Sequence, residues 1–244
     1  MRNLSRKLLR LRCRVTTGYA MPHAIERVDM AGRDVSQKLE QLLRQGNRPP
    51  LPASLVADRM AREAVVRSVK EKHAYVAPAP RSLRAPEPAP QRQSAAADAS
   101  AQVPYSLPDG TILHLHSSDL GLCMEGLFDP SVIGFSAPGL ADVAFSAIMK
   151  TDLDLPRDDM YANIVLSGGS TDARGFAERL HTELAAMAPS RAPIRVIHAS
   201  AGHGSSSNWA GGAMLTSLPT FGEMWITRKD YDNNGPSIVH KKCF

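Results

Sequence analysis

Residues 164–170 read Ile-Val-Leu-Ser-Gly-Gly-Ser and run on toward Phe176-Ala-Glu-Arg-Leu-His181. An apolar run ends in a glycine pair, and a helical pattern opens shortly after it. Gly168 and Gly169 carry no Cβ, so a ligand can approach their backbone closely. The nearby helix amino terminus presents free amides and a dipole that favours phosphate. A tight strand-to-helix turn satisfies the same pattern, so these seven residues fix a local α/β arrangement before they fix a site.

Working outward, strand and helix patterns alternate along much of the chain. Ile25, Val28 and Met30 predict a strand, and Leu39, Leu42 and Leu43 predict a helix over 36–43. Pro49, Pro50 and Pro52 break that helix by removing donors and fixing backbone angles. A second helix is predicted from Asp58 to Tyr75, with Met60, Ala64, Val65 and Val69 on its buried side. Residues 77–104 are rich in Ala, Pro, Ser and Gln, and too poor in large aliphatics to offset their conformational entropy; they read as a disordered surface loop. Leu107-Pro-Asp-Gly110 marks a turn and 111–115 a strand. A short helix follows over 143–150, a strand over 163–166, a helix to Ala186 and a strand over 194–197. Helical pieces punctuated by Pro219, Gly222, Gly235 and Pro236 close the chain. The fold class is α/β.

Composition removes several function classes. The 244 residues carry a formal charge of +5, concentrated at the amino terminus, without aromatic residues interleaved among the Lys and Arg. That is a poor nucleic-acid footprint. Cys13, Cys123 and Cys243 form neither a metal-ligand spacing nor a disulfide framework. No apolar run reaches the ~20 residues that span a bilayer. His114 and His116 alternate on one strand face without a third ligand nearby, and Asp152, Asp154, Asp158 and Asp159 read as loop acids. In residues 1–14, which contain no acid, Leu4, Leu8 and Leu11 fall on one helical stripe. This is a mitochondrial-targeting type of pattern, but a basic helix without an address accounts for it as well.

Longer stretches carry a resemblance. Residues 208–244 (NWAGGAMLTSLPTFGEMWITRKDYDNNGPSIVHKKCF) closely resemble the carboxy-terminal end of actin. Residues 18–34 (GYAMPHAIERVDMAGRD), Lys70-Glu71-Lys72, 105–110 (YSLPDG), 127–134 (LFDPSVIG), 147–155 (AIMKTDLDL) and 161–170 (YANIVLSGGS) resemble further actin segments in the family's order. The last of these is similar to the adenosine-binding segment that actin shares with sugar kinases and heat-shock ATPase chaperones. The match covers nearly all of 17–244 and corresponds to the second half of an actin. It implies a partial actin/sugar-kinase fold, with a mixed sheet and flanking helices. Residues 1–15 would be a basic amino-terminal segment; 16–31 and 137–206 a third-subdomain-like unit; 32–136 a fourth, with the disordered loop inside it; and 207–244 the last part of the first.

The resemblance also implies a weak site for ATP or ADP. Gly168, Gly169 and Ser170 would flank the nucleoside, Arg67 and Lys70 would line the base, Glu71 would accept from the ribose hydroxyls, and Gly32 would permit close approach. A solvated helix face is the alternative reading of Arg67, Lys70 and Glu71. Departures weaken the site. Asp172 and Ala173 replace the Met-Tyr pair that covers the base in actins, and Ser205 or a neighbour in the small-residue stretch 198–207 stands where they carry a Lys. The phosphate hairpins, metal aspartates and water-positioning residues of actins precede the segment matched at Gly18, so Mg is not expected from this chain alone and ATPase activity is predicted to be absent. Tyr19, Leu215, Leu218, Thr220 and Met224 match positions lining actin's hydrophobic cleft, which implies actin filaments or actin-binding proteins as partners; packing of an amphipathic helix pair is the alternative. Exposed apolar surface predicts self-association. A cytoplasmic, cytoskeletal location follows from the same resemblance. A non-nucleotide interaction module derived from actin is the alternative function.

Overall fold

The computed structural model describes residues 9–14, 20–44, 52–78, 102–152, 154–198 and 206–242. Strand β1 (Leu9–Arg14) runs antiparallel to β2 (Ala20–Val28), with Leu9 opposite Val28 and an irregularity between Arg12 and Arg14. This corrects the amino-terminal reading: Leu11 lies in a strand, so the helical stripe does not extend through residue 14. Leu4 and Leu8 lie outside the described residues.

Helix α1 (Gly32–Arg44) buries Val35 and Leu39, and Asp34 holds its start by accepting from the Ala31 amide at 2.9 Å. A short helix, α2 (Ala53–Ala57), leads into α3 (Arg59–His73). Asp58 caps α3, accepting from the Met60 and Ala61 amides. The buried side of α3 is Val65, Val66 and Val69. Met60, assigned to that side from sequence, is 76% exposed, and Ala64 is exposed too. The cap places Met60 in the first turn, ahead of the point where α3 meets its neighbours.

The proline-rich segment ends earlier than its composition suggests. Gln102–Ser106 form β3, antiparallel to β4 (Ile112–His116), so residues 102–104 are strand and not loop. Residues 79–101 lie outside the described residues. The hairpin turns through Gly110 at φ +84°, and Asp109 accepts from the Thr111 amide. Helix α4 (Ser117–Glu125) packs on α1 and against β4. Helix α5 (Leu140–Met149) packs on β1, β2 and α7 (Phe176–Met187), with α6 (Arg157–Ala162) beside it. Strand β5 (Ile164–Leu166) runs parallel to β6 (Val196–His198), whose other neighbour is α7. The α/β class holds. Among the described residues the strands form three two-stranded sheets.

One hydrophobic core runs through these elements, from Val28 and Val35 to Leu180 and Leu184. The carboxy-terminal stretch differs. Helices α8 (Ser207–Thr216), α9 (Arg228–Asn234) and α10 (Val239–Lys242) are joined by 3-10 turns, and Ile238 alone among described residues 206–242 is a buried hydrophobic residue. Local polar contacts shape this stretch. Thr227 and Asp230 cap α9 reciprocally, and the Lys242 ammonium donates to Asp230 and to the Trp225 carbonyl.

Two predictions follow from these contacts. Arg179, 1% exposed, is bonded to the carboxylates of Glu125 and Glu183. Arg179→Ala leaves Glu125 buried without its partner and should lower stability by about 3–5 kcal/mol in urea unfolding. Hydrogen bonds from the Thr227 side chain, then from Lys242, hold the Asp230 carboxyl down at about 2. A depressed carboxylate contributes stability above its ordinary value near 3.8, lost as pH falls through about 2. Circular dichroism should show acid loss of helix in that window, and Asp230→Asn should remove the step.

Candidate functional site

The glycine pair sits where β5 gives way to a 3-10 turn over Gly169–Asp172. Gly168 adopts φ +105° and ψ 152°, a region essentially reserved for glycine. Thr171 locks the turn by donating from its amide and hydroxyl to the Gly168 carbonyl, at 3.1 and 2.7 Å. The turn is thus closed by its own hydrogen bonds and presents backbone without a side chain at its first position.

Three elements meet beside it. A Cβ added to Gly32, at the start of α1, would lie 3.0 Å from the Ser170 hydroxyl and 3.2 Å from the Lys70 ammonium. The structure therefore brings Gly32, Lys70 and Ser170 together from α1, α3 and the β5 turn. Lys70 turns inward, donating to the Gly32 carbonyl at 2.8 Å and the Ser36 hydroxyl at 3.0 Å. Ser36 donates in turn to the Gly32 carbonyl. Desolvation pulls the Lys70 pKa down from its ordinary value. Its alternative reading as part of a solvated face therefore fails for Lys70. Arg67 and Glu71 do lie on the exposed side of α3, and Gly169 is exposed.

Sequence reasoning missed Ser36 and His198. Ser36 stands four residues beyond Gly32, one helical turn, which was the available signal. His198 ends β6 and places Nε2 3.5 Å from the Asp172 carboxylate, so the imidazole stands beside that carboxylate in the turn next to Ser170. Ser205 lies outside the described residues. Just past β5, the Ser167 hydroxyl meets the Ser207 hydroxyl at 2.7 Å and the Asn208 side chain at 3.1 Å, fastening α8 to the body.

The residues matched by resemblance to an apolar cleft are exposed: Leu215, Leu218 and Met224 on their large side chains, with Thr220 among them in sequence. Phe221 and Trp225 stack edge to face at 6.0 Å nearby. Tyr19 lies outside the described residues. Core packing, the other reading of this spacing, does not describe the region. A cavity of about 400 Å³ opens elsewhere, beside Arg179 and lined by Glu125, Asp129, Asp142 and Glu183. Each carboxylate there already has a structural bond: Glu125 and Glu183 to Arg179, Asp129 to the Ser131 amide, Asp142 to the Gly139 amide. Among the described residues no three His, Cys, Asp or Glu side chains group to hold a metal ion. No described helix is long and apolar enough to cross a membrane.

Comparison with known proteins gives two findings. The family model described as Actin matches residues 13–244. An actin-like protein of Neurospora crassa is 38% identical over 230 residues, which is 93% of this chain and 56% of that protein. The chain thus spans little more than half the length of that relative.

The two glycines should respond differently to alanine. At Gly168 a Cβ meets nothing within 4 Å, so the cost of Gly168→Ala is backbone strain alone, about 1–3 kcal/mol in thermal unfolding. At Gly32 the added methyl presses on Ser170 and Lys70, so Gly32→Ala should perturb the side-chain resonances of both more than it lowers the melting temperature.

Proposed function

The chain belongs to the actin family, and on that premise we propose that it is an actin-like cytoskeletal protein with a residual, weakened adenine-nucleotide site that associates with actin filaments or actin-binding partners. The observation that carries the nucleotide part is the convergence of Gly32, Lys70 and Ser170 on the Gly168-Gly169 turn. These residues suit the nucleoside end of ATP or ADP. The glycines offer close backbone approach, and Ser170 offers a hydroxyl donor and acceptor. Arg67 and Glu71, on the exposed side of α3, remain available to line the base and accept from the ribose hydroxyls. The nucleotide supplies the ligand's charge; this chain orients the sugar and base.

Two features explain why the affinity is low. Lys70 directs two of its donors into its own protein, and Asp172 with His198 occupies the turn where an apolar cover would exclude water. The exposed Leu215, Leu218 and Met224 support the partner-binding part, since an apolar surface with polar margins suits a docking helix.

Isothermal titration with ADP and ATP tests the nucleotide reading. Binding should be detectable in the range of about 0.1–1 mM, and weaker still in Arg67→Ala and Glu71→Ala. Asp172→Met should tighten it about tenfold, equivalent to about 1.4 kcal/mol. No heat at millimolar nucleotide would overturn this part. Co-sedimentation with actin filaments, reduced by Leu218→Asp, tests the rest.

A further inference from the structure

The strand β4 turns Leu115, 1% exposed, into the core and carries Ile112, His114 and His116 on its outer side. Ile112 and His114 are exposed and His116 is half-buried. The backbone stays extended through His116, at φ −81° and ψ 130°, so the alternation holds to the last residue before α4. Positions two apart in a strand lie about 6.6–6.8 Å from each other. Across the hairpin Pro104 stands opposite His114 and Gln102 opposite His116, and β3 carries no carboxylate to face either ring. The hairpin is held from its inner side, where Tyr105 is buried and donates its hydroxyl to Ser68 at 2.9 Å. Other imidazoles have neighbours that account for them: His23 meets Asp152 at 3.2 Å, His73 stands edge-on to Tyr105, and His198 lies beside Asp172. Among the described residues His114 and His116 make no hydrogen bond or ion pair.

We infer that His114 and His116 form a two-imidazole site for a divalent transition-metal ion, copper(II) foremost. Two rings on one face, two positions apart, can bring one nitrogen each onto a single ion with metal–nitrogen bonds of about 2.0–2.1 Å. The donor set decides the metal. Calcium and magnesium take oxygen ligands. Structural zinc takes four protein ligands and catalytic zinc three, and among the described residues no three His, Cys, Asp or Glu side chains group together. Copper(II) stands highest in the divalent series, so it gains most from two nitrogens alone, and its tetragonal geometry leaves the other positions to water. Each ring binds as neutral imidazole, and the ion keeps its oxidation state throughout. The site is independent of nucleotide binding and of the exposed apolar residues beyond 206.

The probe is copper(II) alone, titrated into the full chain without nucleotide in a non-coordinating buffer. One ion per chain should bind, and its electron paramagnetic resonance spectrum should show splitting from two imidazole nitrogens. His114→Gln and His116→Gln should each weaken binding by about tenfold or more and remove the second nitrogen. His23→Gln on β2 and His181→Gln on α7 should leave both readouts unchanged. Circular dichroism checks that each variant keeps its fold. A rescue separates the spacing from histidine content: Ile112, 56% exposed on the same face, is two positions from His114. Ile112→His added to His116→Gln should therefore restore the affinity and the second nitrogen. Binding that survives either single variant, a one-nitrogen spectrum in the unaltered chain, or no restoration by the added histidine overturns the inference.

Discussion

A single buried guanidinium determines whether the two sides of the site meet. Arg179 lies in α7, yet it reaches Glu125 at the end of α4, Glu183 one turn on, and the Ala77 carbonyl just beyond α3. Its plane also lies over Phe128, 5.1 Å from the ring centre. Burial opposes the charge, but hydrogen bonds with Glu125 and Glu183 outweigh it and hold the Arg179 pKa above its ordinary value. One planar group with five donors can do this; an ammonium in its place could not bridge so many acceptors. A few residues upstream, Gly175 completes the clamp. A Cβ there would lie 2.4 Å from the Val76 carbonyl, and the Val76 amide donates to the Arg174 carbonyl at 2.8 Å. The exit of α3 is thereby pinned to the entry of α7. Lys70, one turn before that exit, and Ser170, in the 3-10 turn ahead of that entry, both lie beside Gly32.

The legible and illegible parts of this arrangement divide by range. Asp58 was readable as a helix start because its acceptors are two and three residues away. The Gly168-Gly169 turn was readable because the positive backbone angle is a property of the residue itself. Arg179 was not, since the sequence around it shows an ordinary amphipathic helix and Glu125 lies 54 positions earlier. Lys70 was assigned to a base-lining role by resemblance, and its inward bond to the Gly32 carbonyl spans 38 positions. Residues 102–104 read as loop because Pro104 and their neighbours carry little apolar surface. Pairing with β4 makes them strand, since a hairpin partner supplies the hydrogen bonds that composition cannot announce.

The chain is also uneven in what holds it. From Val28 to Leu184 apolar burial dominates. From 206 onward, caps and ion pairs between near neighbours define the helices, while Trp209, Met214 and Trp225 face outward. Burial of a side chain of this size is worth about 1.5–3 kcal/mol relative to exposure. Leaving several exposed forfeits more than the local caps return, at about 1 kcal/mol each. Such a segment is shaped chiefly by its own hydrogen bonds. In β5, joined to α8 through Ser167, Val165 is exposed as well.

The same clamp sets what the site can offer a ligand. Lys70 has three donors and directs two of them at Gly32 and Ser36, so the ammonium serves first to fix α1 to α3. Burial lowers its pKa, and those two acceptors satisfy two of the buried ammonium's donors. What remains at the Gly168 turn is shape: a backbone without side chains, the Ser170 hydroxyl, and two exposed charges of opposite sign on α3. Such a surface can orient a sugar and a base through backbone approach and hydrogen bonds. Gripping a polyphosphate requires several donors or a cation converging on the same oxygens. At Lys70 the donors converge on the Gly32 carbonyl and the Ser36 hydroxyl, so this part of the surface is committed to holding α1 against α3.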